Sequence, residues 1–196
     1  TDRVLLLGVT QELRAMVWPA DTDLLACDRS LAMIHAIWPL APFGGAHAAP
    51  VCADWRALPL PAASRNIAIG DGSASALATL ADLRLAASEI ERVLVPGGAL
   101  ILRLFLRPAI PESLPQVAQE VAAGRIGSFH AFKWRLLMAV QRDATEGVRL
   151  GDAWDSFQAH FADRAALARQ TGWAAEAITT IDTYRDADGR YCFHTL

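Results

Sequence analysis

The stretch Val4-Leu5-Leu6-Leu7-Gly8 decides the fold, because four consecutive apolar residues stop abruptly at a glycine. An apolar run this short and continuous is typical of a strand that is buried on both faces of a parallel sheet. Three further runs end in the same way, each at or next to an aspartate: Leu24–Cys27 before Asp28, Val51–Ala53 before Asp54, and Ile67–Ile69 before Gly70 and Asp71. Together these runs predict four parallel strands.

Helical segments separate and follow these strands. Ser30 is a predicted N-cap for a helix over 31–38. Apolar residues recur at helical spacing from Thr79 to Val95, and the sequence Pro-Gly-Gly at 96–98 ends that helix before a strand over 99–105. Alternating strands and helices predict an α/β protein with a Rossmann-like three-layer sandwich, in which the sheet is mostly parallel.

Residues 107–164 have a different pattern, because Pro108, Pro111 and Pro115 form a linker at their start. They contain two segments of helical periodicity, from Ser128 to Arg142 and from Trp154 to Phe161. We interpret this region as a helical cap inserted into a single domain that spans residues 1–196.

The C-terminal region contains a hairpin signal. Residues 186–189 end in Asp-Gly, a dipeptide typical of a tight turn between two strands. The flanking segments 178–184 and 191–196 are the predicted strands. The sheet is therefore expected to have seven strands and to end in an antiparallel hairpin.

Composition excludes several classes of protein. Of the 196 residues 53% are hydrophobic and the net charge is −3, so neither disorder nor a general affinity for nucleic acid or anionic membranes is expected. The three cysteines, Cys27, Cys52 and Cys192, are widely spaced, which excludes a disulfide framework and favours a cytoplasmic protein. No apolar run reaches the roughly 18 residues of a membrane span, and the five histidines lack metal-ligand spacing, so no metal is expected.

Four segments together resemble one known family. They are Val4–Gly8, Asp28-Arg29-Ser30 followed by Met33, ADWRALPLP at 53–61 and EIERVLVPGG at 89–98. In this order and spacing they are similar to the class I S-adenosylmethionine-dependent methyltransferases, in particular the small-molecule enzymes of methyltransferase type 11. The resemblance covers most of residues 1–105 and 165–196. It implies S-adenosylmethionine as the cofactor.

Spacing and resemblance assign a set of candidate cofactor-binding residues. Asp28 follows Gly8 by 20 positions, and an acid about 20 residues after the first glycine binds ribose hydroxyls in nucleotide-binding folds. The resemblance implies that the Asp54 carboxylate takes the adenine amino group and that the Trp55 backbone amide faces a ring nitrogen. The complete expected set is Gly8, Thr10, Asp28, Arg29, Met33, Asp54, Trp55, Gly70 and Asp71. No residue is identified as catalytic.

Other members of this set have roles defined by their position. Gly8 and Thr10 would frame the carboxylate end of the cofactor, at the start of a helix that favours anions. Gly70 and Asp71 end the fourth strand, where the methyl group and its acceptor should meet. Plainer explanations stay open for several of them: Asp28 as a solvated acid beside a helix cap, Trp55 as a packing residue, and Asp71 with Gly72 as a tight turn.

The first loop departs from the family pattern, and this departure leaves two hypotheses for the function. The family's loop is rich in glycine, of the form G-x-G-x-G, whereas residues 8–12 read Gly-Val-Thr-Gln-Glu. The first hypothesis is a methyltransferase acting on a small-molecule acceptor. The alternative is a non-catalytic or regulatory protein of the same fold with weakened cofactor affinity, for which a homodimer is one arrangement.

A third hypothesis, an NAD-dependent oxidoreductase, is disfavoured. The dinucleotide fingerprint also uses a glycine loop and an acid about 20 residues later, but it does not require Asp54 or the EIERVLVPGG segment. A nucleic-acid acceptor is disfavoured as well, because the chain is not basic and no Asn-Pro-Pro-Tyr-like segment follows the fourth strand.

Overall fold

Two units make up the chain, of which the computed structural model describes residues 1–40, 42–143 and 145–195. The first unit comprises residues 1–74 and 81–104, and the second unit comprises residues 75–80 and 105–196.

A five-stranded sheet forms the centre of the first unit. Its strands are β1 (Arg3–Leu7), β2 (Asp23–Asp28), β3 (His47–Cys52), β4 (Arg65–Asp71) and β5 (Leu94–Arg103). They lie in the order β3-β2-β1-β4-β5, and all four pairings are parallel. The five predicted strands and their parallel arrangement are therefore confirmed, but β5 begins at Leu94 and includes the Pro-Gly-Gly segment that was expected to precede it.

Helices cover both faces of this sheet. They are α1 (Gln11–Arg14), α2 (Leu31–Ile37) and α3 (Leu80–Val93), with short 3-10 turns at Trp38–Leu40 and Ser73–Ala76. Alternate residues of β1 enter different cores: Leu5 packs in the same cluster as Ile90 of α3, and Leu6 in the same cluster as Ile34 of α2. Because β1 has apolar residues in both layers, its sequence is continuously hydrophobic. The three-layer Rossmann-like sandwich is confirmed.

The second unit is mainly helical. Its elements are α4 (Leu114–Ala122), α5 (Phe129–Val140), β6 (Val148–Arg149), α6 (Leu150–Phe161), α7 (Arg164–Thr171), α8 (Ala175–Thr179), a 3-10 helix (Thr180–Tyr184) and β7 (Arg190–Tyr191). Helices α5 and α6 lie where the periodicity predicted them. Phe132, Phe157, Leu167 and Ile181 belong to one core cluster, so residues after 164 pack with those before it. That this unit caps the first stays a prediction.

The prediction that segments 178–184 and 191–196 form the two strands of a C-terminal hairpin was wrong. Residues 178–184 complete α8 and form the 3-10 helix, because Ile178 and Ile181, three positions apart, are both buried in the same core. The antiparallel pair is instead β6 with β7, which places Val148 opposite Tyr191 in a separate two-stranded sheet. The seven strands are thus divided between a parallel five-stranded sheet and this pair.

The predicted final strand over 191–196 is shorter than expected. Only its first residue, Tyr191, lies in β7, and Leu196 is outside the described residues. Across the three described ranges, no helix has both the length and the apolar character needed to cross a bilayer.

Candidate cofactor site

The corner at Gly8 brings together four of the expected residues. Gly8 follows β1 with φ +98°, and its N–H donates to the carbonyl oxygen of Cys27 at 2.8 Å. A Cβ atom built on Gly8 would lie 3.8 Å from Thr10 Oγ1, 3.9 Å from Asp28 Oδ2 and 3.9 Å from Trp55 Cζ2. Three side chains therefore surround one small space above this glycine, at the carboxyl ends of β1 and β2.

Asp28 has two different oxygen environments. Its Oδ1 accepts from the Ser30 backbone N–H at 2.8 Å, and Ser30 Oγ in turn caps α2 by accepting from Met33 N at 3.2 Å. Its Oδ2 lies on the Gly8 side and accepts no hydrogen bond from the residues that the structure describes. The capping explanation for Asp28 therefore accounts for one oxygen, and the second is positioned for a ligand.

Arg29 and Met33 follow Asp28 on the outer side of this corner. The Arg29 side chain is exposed, and its carbonyl oxygen is 3.6 Å from Cys52 Sγ. Met33 is on the first turn of α2 and is half exposed. Neither residue supplies one of the three atoms nearest to a Cβ built on Gly8.

Asp54 is already engaged by a neighbouring arginine that the sequence reasoning missed. Oδ1 accepts from the backbone N and Nε of Arg56 at 2.9 and 3.0 Å, and Oδ2 accepts from Nε and Nη2 of the same residue. Hydrogen bonding to Arg56 holds the pKa of the Asp54 carboxyl below its usual value. Arg56 is also bound to Asp82 of α3 through Nη1. An adenine amino group must therefore share or displace Arg56 to reach Asp54.

The Trp55 side chain turns inward from the same loop. Its Nε1–H donates to the Cys27 carbonyl oxygen at 2.6 Å, the same oxygen that accepts from Gly8 N. The indole also packs against the apolar cluster that contains Leu5 and Leu58. Burial, followed by the nearby carboxylates, raises the pKa of the Cys27 thiol to about 12, so this cysteine is unsuited to nucleophilic chemistry.

Gly70 and Asp71 end β4, next to β1. A Cβ on Gly70 would overlap the Ser73 hydroxyl and would lie 3.0 Å from Leu102 Cδ2, so any other residue there would require the Ser73 side chain to move. Ser73 Oγ is buried and has no hydrogen-bond partner among the described residues. Ser73 is not in the expected set, and its only signal for this site in the sequence is its place just after the strand.

Asp71 is paired across the sheet. Its carboxylate receives two hydrogen bonds from Arg103 of β5, of which the Nη2 bond is 2.7 Å. Gly72 has φ +66° and donates to the Arg103 carbonyl oxygen, so the tight-turn explanation describes the backbone here. Like Asp54, Asp71 is therefore already hydrogen-bonded to an arginine of the same chain.

All the strand-end residues of the expected set lie along one edge of the sheet. Register places Leu7 beside Cys27 and beside Gly70, and Asp28 beside Cys52. The carboxyl edge of an open parallel sheet is where such folds bind ligands. The fold and this edge define a Rossmann-like α/β protein with an acid at the end of β2 suited to a nucleoside.

Comparison with known proteins identifies the family of this segment. Residues 7–102 match the family model described as a methyltransferase domain, of type 11. This segment therefore matches the methyltransferase family that the sequence motifs resemble. No curated protein is significantly similar to the chain.

One of three similar solved structures supports the fold. A SAM-dependent methyltransferase from Methanosarcina mazei superposes with a TM-score of 0.51 at 16% identity, over 76% of this chain and 66% of its own. The YcgJ protein from Bacillus subtilis has a TM-score of 0.46 at 17% identity, over 93% of this chain and 76% of its own. A SAM-dependent methyltransferase from Aquifex aeolicus has a TM-score of 0.44 at 17% identity, over 57% of this chain and 61% of its own. The chain thus spans about two thirds of the Methanosarcina protein.

Proposed function

We propose that the first unit binds S-adenosylmethionine at the Gly8 corner and that the chain transfers its methyl group to a small-molecule acceptor. The observation that carries this proposal is the Asp28 carboxylate, which uses one oxygen to hold the start of α2 and directs the other to the space above Gly8. A carboxylate so placed accepts hydrogen bonds from ribose hydroxyls. The family match to residues 7–102 supports the same ligand.

The residues at this edge have distinct tasks in the proposed reaction. When bound, S-adenosylmethionine supplies an already activated methyl group on a sulfonium. The chain must then orient the donor, align the acceptor and exclude water, none of which requires a strong base. Asp28 and the Gly8 backbone would hold the nucleoside end, while Gly70 and the buried hydroxyl of Ser73 lie at the end of β4, where the acceptor is expected.

A small molecule is the favoured acceptor. The net charge of −3 supplies no basic field for a polyanion. The helical second unit, with its own aromatic core, is our candidate for the cap over the site. Three free cysteines suit a reducing compartment, and we propose the cytoplasm.

One observation favours the alternative of a binding protein with weakened cofactor affinity. The Asp54 carboxylate is bound by Arg56 through both oxygens, and Arg56 is held from its other side by Asp82. If this network persists in the presence of the cofactor, the adenine amino group loses its expected acceptor. The chain would then retain the fold and the ribose contact with lower affinity.

Thermal unfolding with added ligands tests the proposal. S-adenosylmethionine and S-adenosylhomocysteine should both stabilise the chain, by about 2.7 kcal/mol at 100 times the dissociation constant, and NAD should not. Stabilisation by NAD alone would contradict the proposal. Methyl transfer to a panel of small-molecule nucleophiles, followed by release of S-adenosylhomocysteine, then separates an enzyme from a binding protein.

A further inference from the structure

The outer edge of β5 is apolar and has no strand beside it. The order of strands in the parallel sheet ends at β5, so within residues 1–40, 42–143 and 145–195 no strand pairs with its outer side. Residues 99–102 read Ala-Leu-Ile-Leu, which is as continuously apolar as β1 in the middle of the sheet. Such runs are typical of strands that are buried on both faces. β5 therefore has the sequence of an internal strand at the position of an edge strand.

Apolar side chains are exposed on both faces of the sheet at this edge. Successive residues of a strand point to opposite faces, and the neighbours Leu100 and Ile101 are 45% and 53% exposed. Leu102, which shares a face with Leu100, packs against the cluster that contains Leu5. A further strand beside β5 would cover Leu100 on one face and Ile101 on the other, and would extend both apolar layers.

The opposite edge of the sheet, formed by β3, is different. Its middle contains Pro50, which has no N–H to donate, and residues 48–51 are half-buried. Proline and charged residues on an edge strand prevent pairing with another chain. β5 has neither over residues 99–102, because Pro96 precedes this segment and Arg103 follows it. Of the two edges, β5 is therefore the one suited to pairing.

The backbone groups at the outer edge of β5 are self-complementary. The Arg103 carbonyl oxygen accepts from the Gly72 N–H at 3.0 Å, so it faces the β4 side of the strand. Because backbone groups alternate in direction along a strand, the N–H and C=O of Leu100 and Leu102 face the open edge. In an antiparallel pair centred on Ile101, Leu100 lies opposite Leu102 of the partner subunit, and the two residues exchange both hydrogen bonds. All four outward-facing groups of each strand then have partners.

We propose that β5 forms a homodimer interface, in which the β5 strands of two copies of this chain pair antiparallel about a two-fold axis at Ile101. A two-fold interface requires one self-complementary patch, which this edge supplies. Arg103 lies opposite Ala99 of the partner subunit, so no like charges are opposed. A second copy is the occupant because the other described strands of the chain, β6 and β7, are two residues long and pair with each other. The interface does not depend on the cofactor.

Sedimentation equilibrium of the full chain tests the interface. The wild type should dimerise, and Ile101→Lys, which places two ammonium groups opposite each other at the axis, should raise the dimer dissociation constant by about tenfold. Met16→Lys is the matched control and should dimerise like the wild type, because Met16 is 49% exposed but follows α1 and is not part of β5. A wild type that is monomeric at all concentrations, or an unchanged dissociation constant in Ile101→Lys, would overturn the inference.

Disulfide trapping tests the register. The variants are made in a Cys52→Ser background, because Cys52 is the exposed one of the three cysteines. Under mild oxidation Ile101→Cys should link two copies, since Cα atoms directly opposite in such a pair are about 4.5 Å apart, within the range of a disulfide. Ala99→Cys, on the same face, should remain reduced because it lies opposite Arg103 of the partner subunit. Absence of the link in Ile101→Cys, or equal linking in Ala99→Cys, would overturn the inference.

Discussion

Asp28 ends β2 and Asp54 follows the end of the neighbouring β3 by two residues, yet their carboxylates have different surroundings. Asp28 gives one oxygen to the Ser30 amide and keeps the other beside Gly8. Both oxygens of Asp54 accept hydrogen bonds from Arg56. The loop that follows Asp54 is also attached to α3, because Glu89 accepts a hydrogen bond from the Leu58 N–H at 2.8 Å. Two aspartates at the same edge of the sheet are therefore not equally available to a ligand.

The largest effect should come from removing the Asp28 carboxylate. Asp28→Ala is expected to weaken S-adenosylhomocysteine binding by roughly 10- to 150-fold, because a charge-assisted hydrogen bond contributes about 1.5–3 kcal/mol. Asp28→Asn, which keeps an oxygen acceptor, should lose less. Isothermal titration of folded variants measures both, and an unchanged affinity in Asp28→Ala would remove this residue from the site.

A methyl group at Gly8 should affect both stability and binding. Gly8→Ala is expected to cost about 1–3 kcal/mol of folding free energy, since φ is +98° there, and to block the space between Asp28 and Trp55. Gly97→Ala is the matched control, because Gly97 has φ +79° but an added Cβ would meet no atom within 4 Å. Urea unfolding should show a loss in both variants, and calorimetry a loss of affinity only in Gly8→Ala. Equal affinities in the two variants would contradict a ligand at this corner.

Removing Asp54 should matter less than removing Asp28. Asp54→Ala is expected to weaken cofactor binding about tenfold less than Asp28→Ala, because the Asp54 carboxylate is saturated by Arg56. Arg56→Ala, which releases the carboxylate, should maintain or improve the affinity. Calorimetry on both variants measures these affinities. If Asp54→Ala lowers the affinity as much as Asp28→Ala does, Arg56 moves away from Asp54 when the cofactor binds. The contrast between the two acids would then hold only for the unliganded chain.

The smallest effect should be a pH dependence from Glu89 in the Asp54 loop. Hydrogen bonds from Arg92 and then from the Leu58 amide lower the pKa of the Glu89 carboxyl from 4.5 to about 2. A lowered folded-state pKa means that this stabilisation is complete above pH 4.5 and is lost as the pH falls toward 2. Urea unfolding across this window should show a shallower decline for Glu89→Gln than for wild type. Glu91→Gln, an exposed change on the same helix, should follow the wild type, and a Glu89→Gln curve parallel to it would refute the assignment.

The sequence predicted the structure best where a local pattern of residues is compatible with only one kind of secondary structure. Short apolar runs predicted β1 to β4, and the packing of Leu5 and Leu6 into opposite layers shows why β1 has no polar alternation. Ser30 was identified as a cap because its hydroxyl has a defined local partner three residues later. Both the local hydrogen bond and the burial pattern are therefore predictable from residues that are close in the sequence.

It failed where distant packing outweighed a local signal. The Asp-Gly turn at 188–189 predicted a hairpin, but Ile178 and Ile181 are buried three residues apart in a helical core supplied by α5, α6 and α7. The chain therefore continues as a helix before the turn, and β7 pairs with β6, about 40 positions upstream, by the register of Val148 with Tyr191.

The sequence by itself determined which acids stand at strand ends, since an aspartate after an apolar run must leave the buried layer there. Only the tertiary structure decided what each carboxylate binds, because some of the hydrogen-bond partners come from distant parts of the sequence. Asp71 is paired with Arg103 on the next strand, and the arginine that binds Asp54 is also bound by a residue of α3. Likewise Gly8 and Trp55 are 47 positions apart, and folding alone directs the indole toward the glycine. Desolvation and directional hydrogen bonding depend on which residues are close in three dimensions. The local sequence around a single residue does not specify those neighbours.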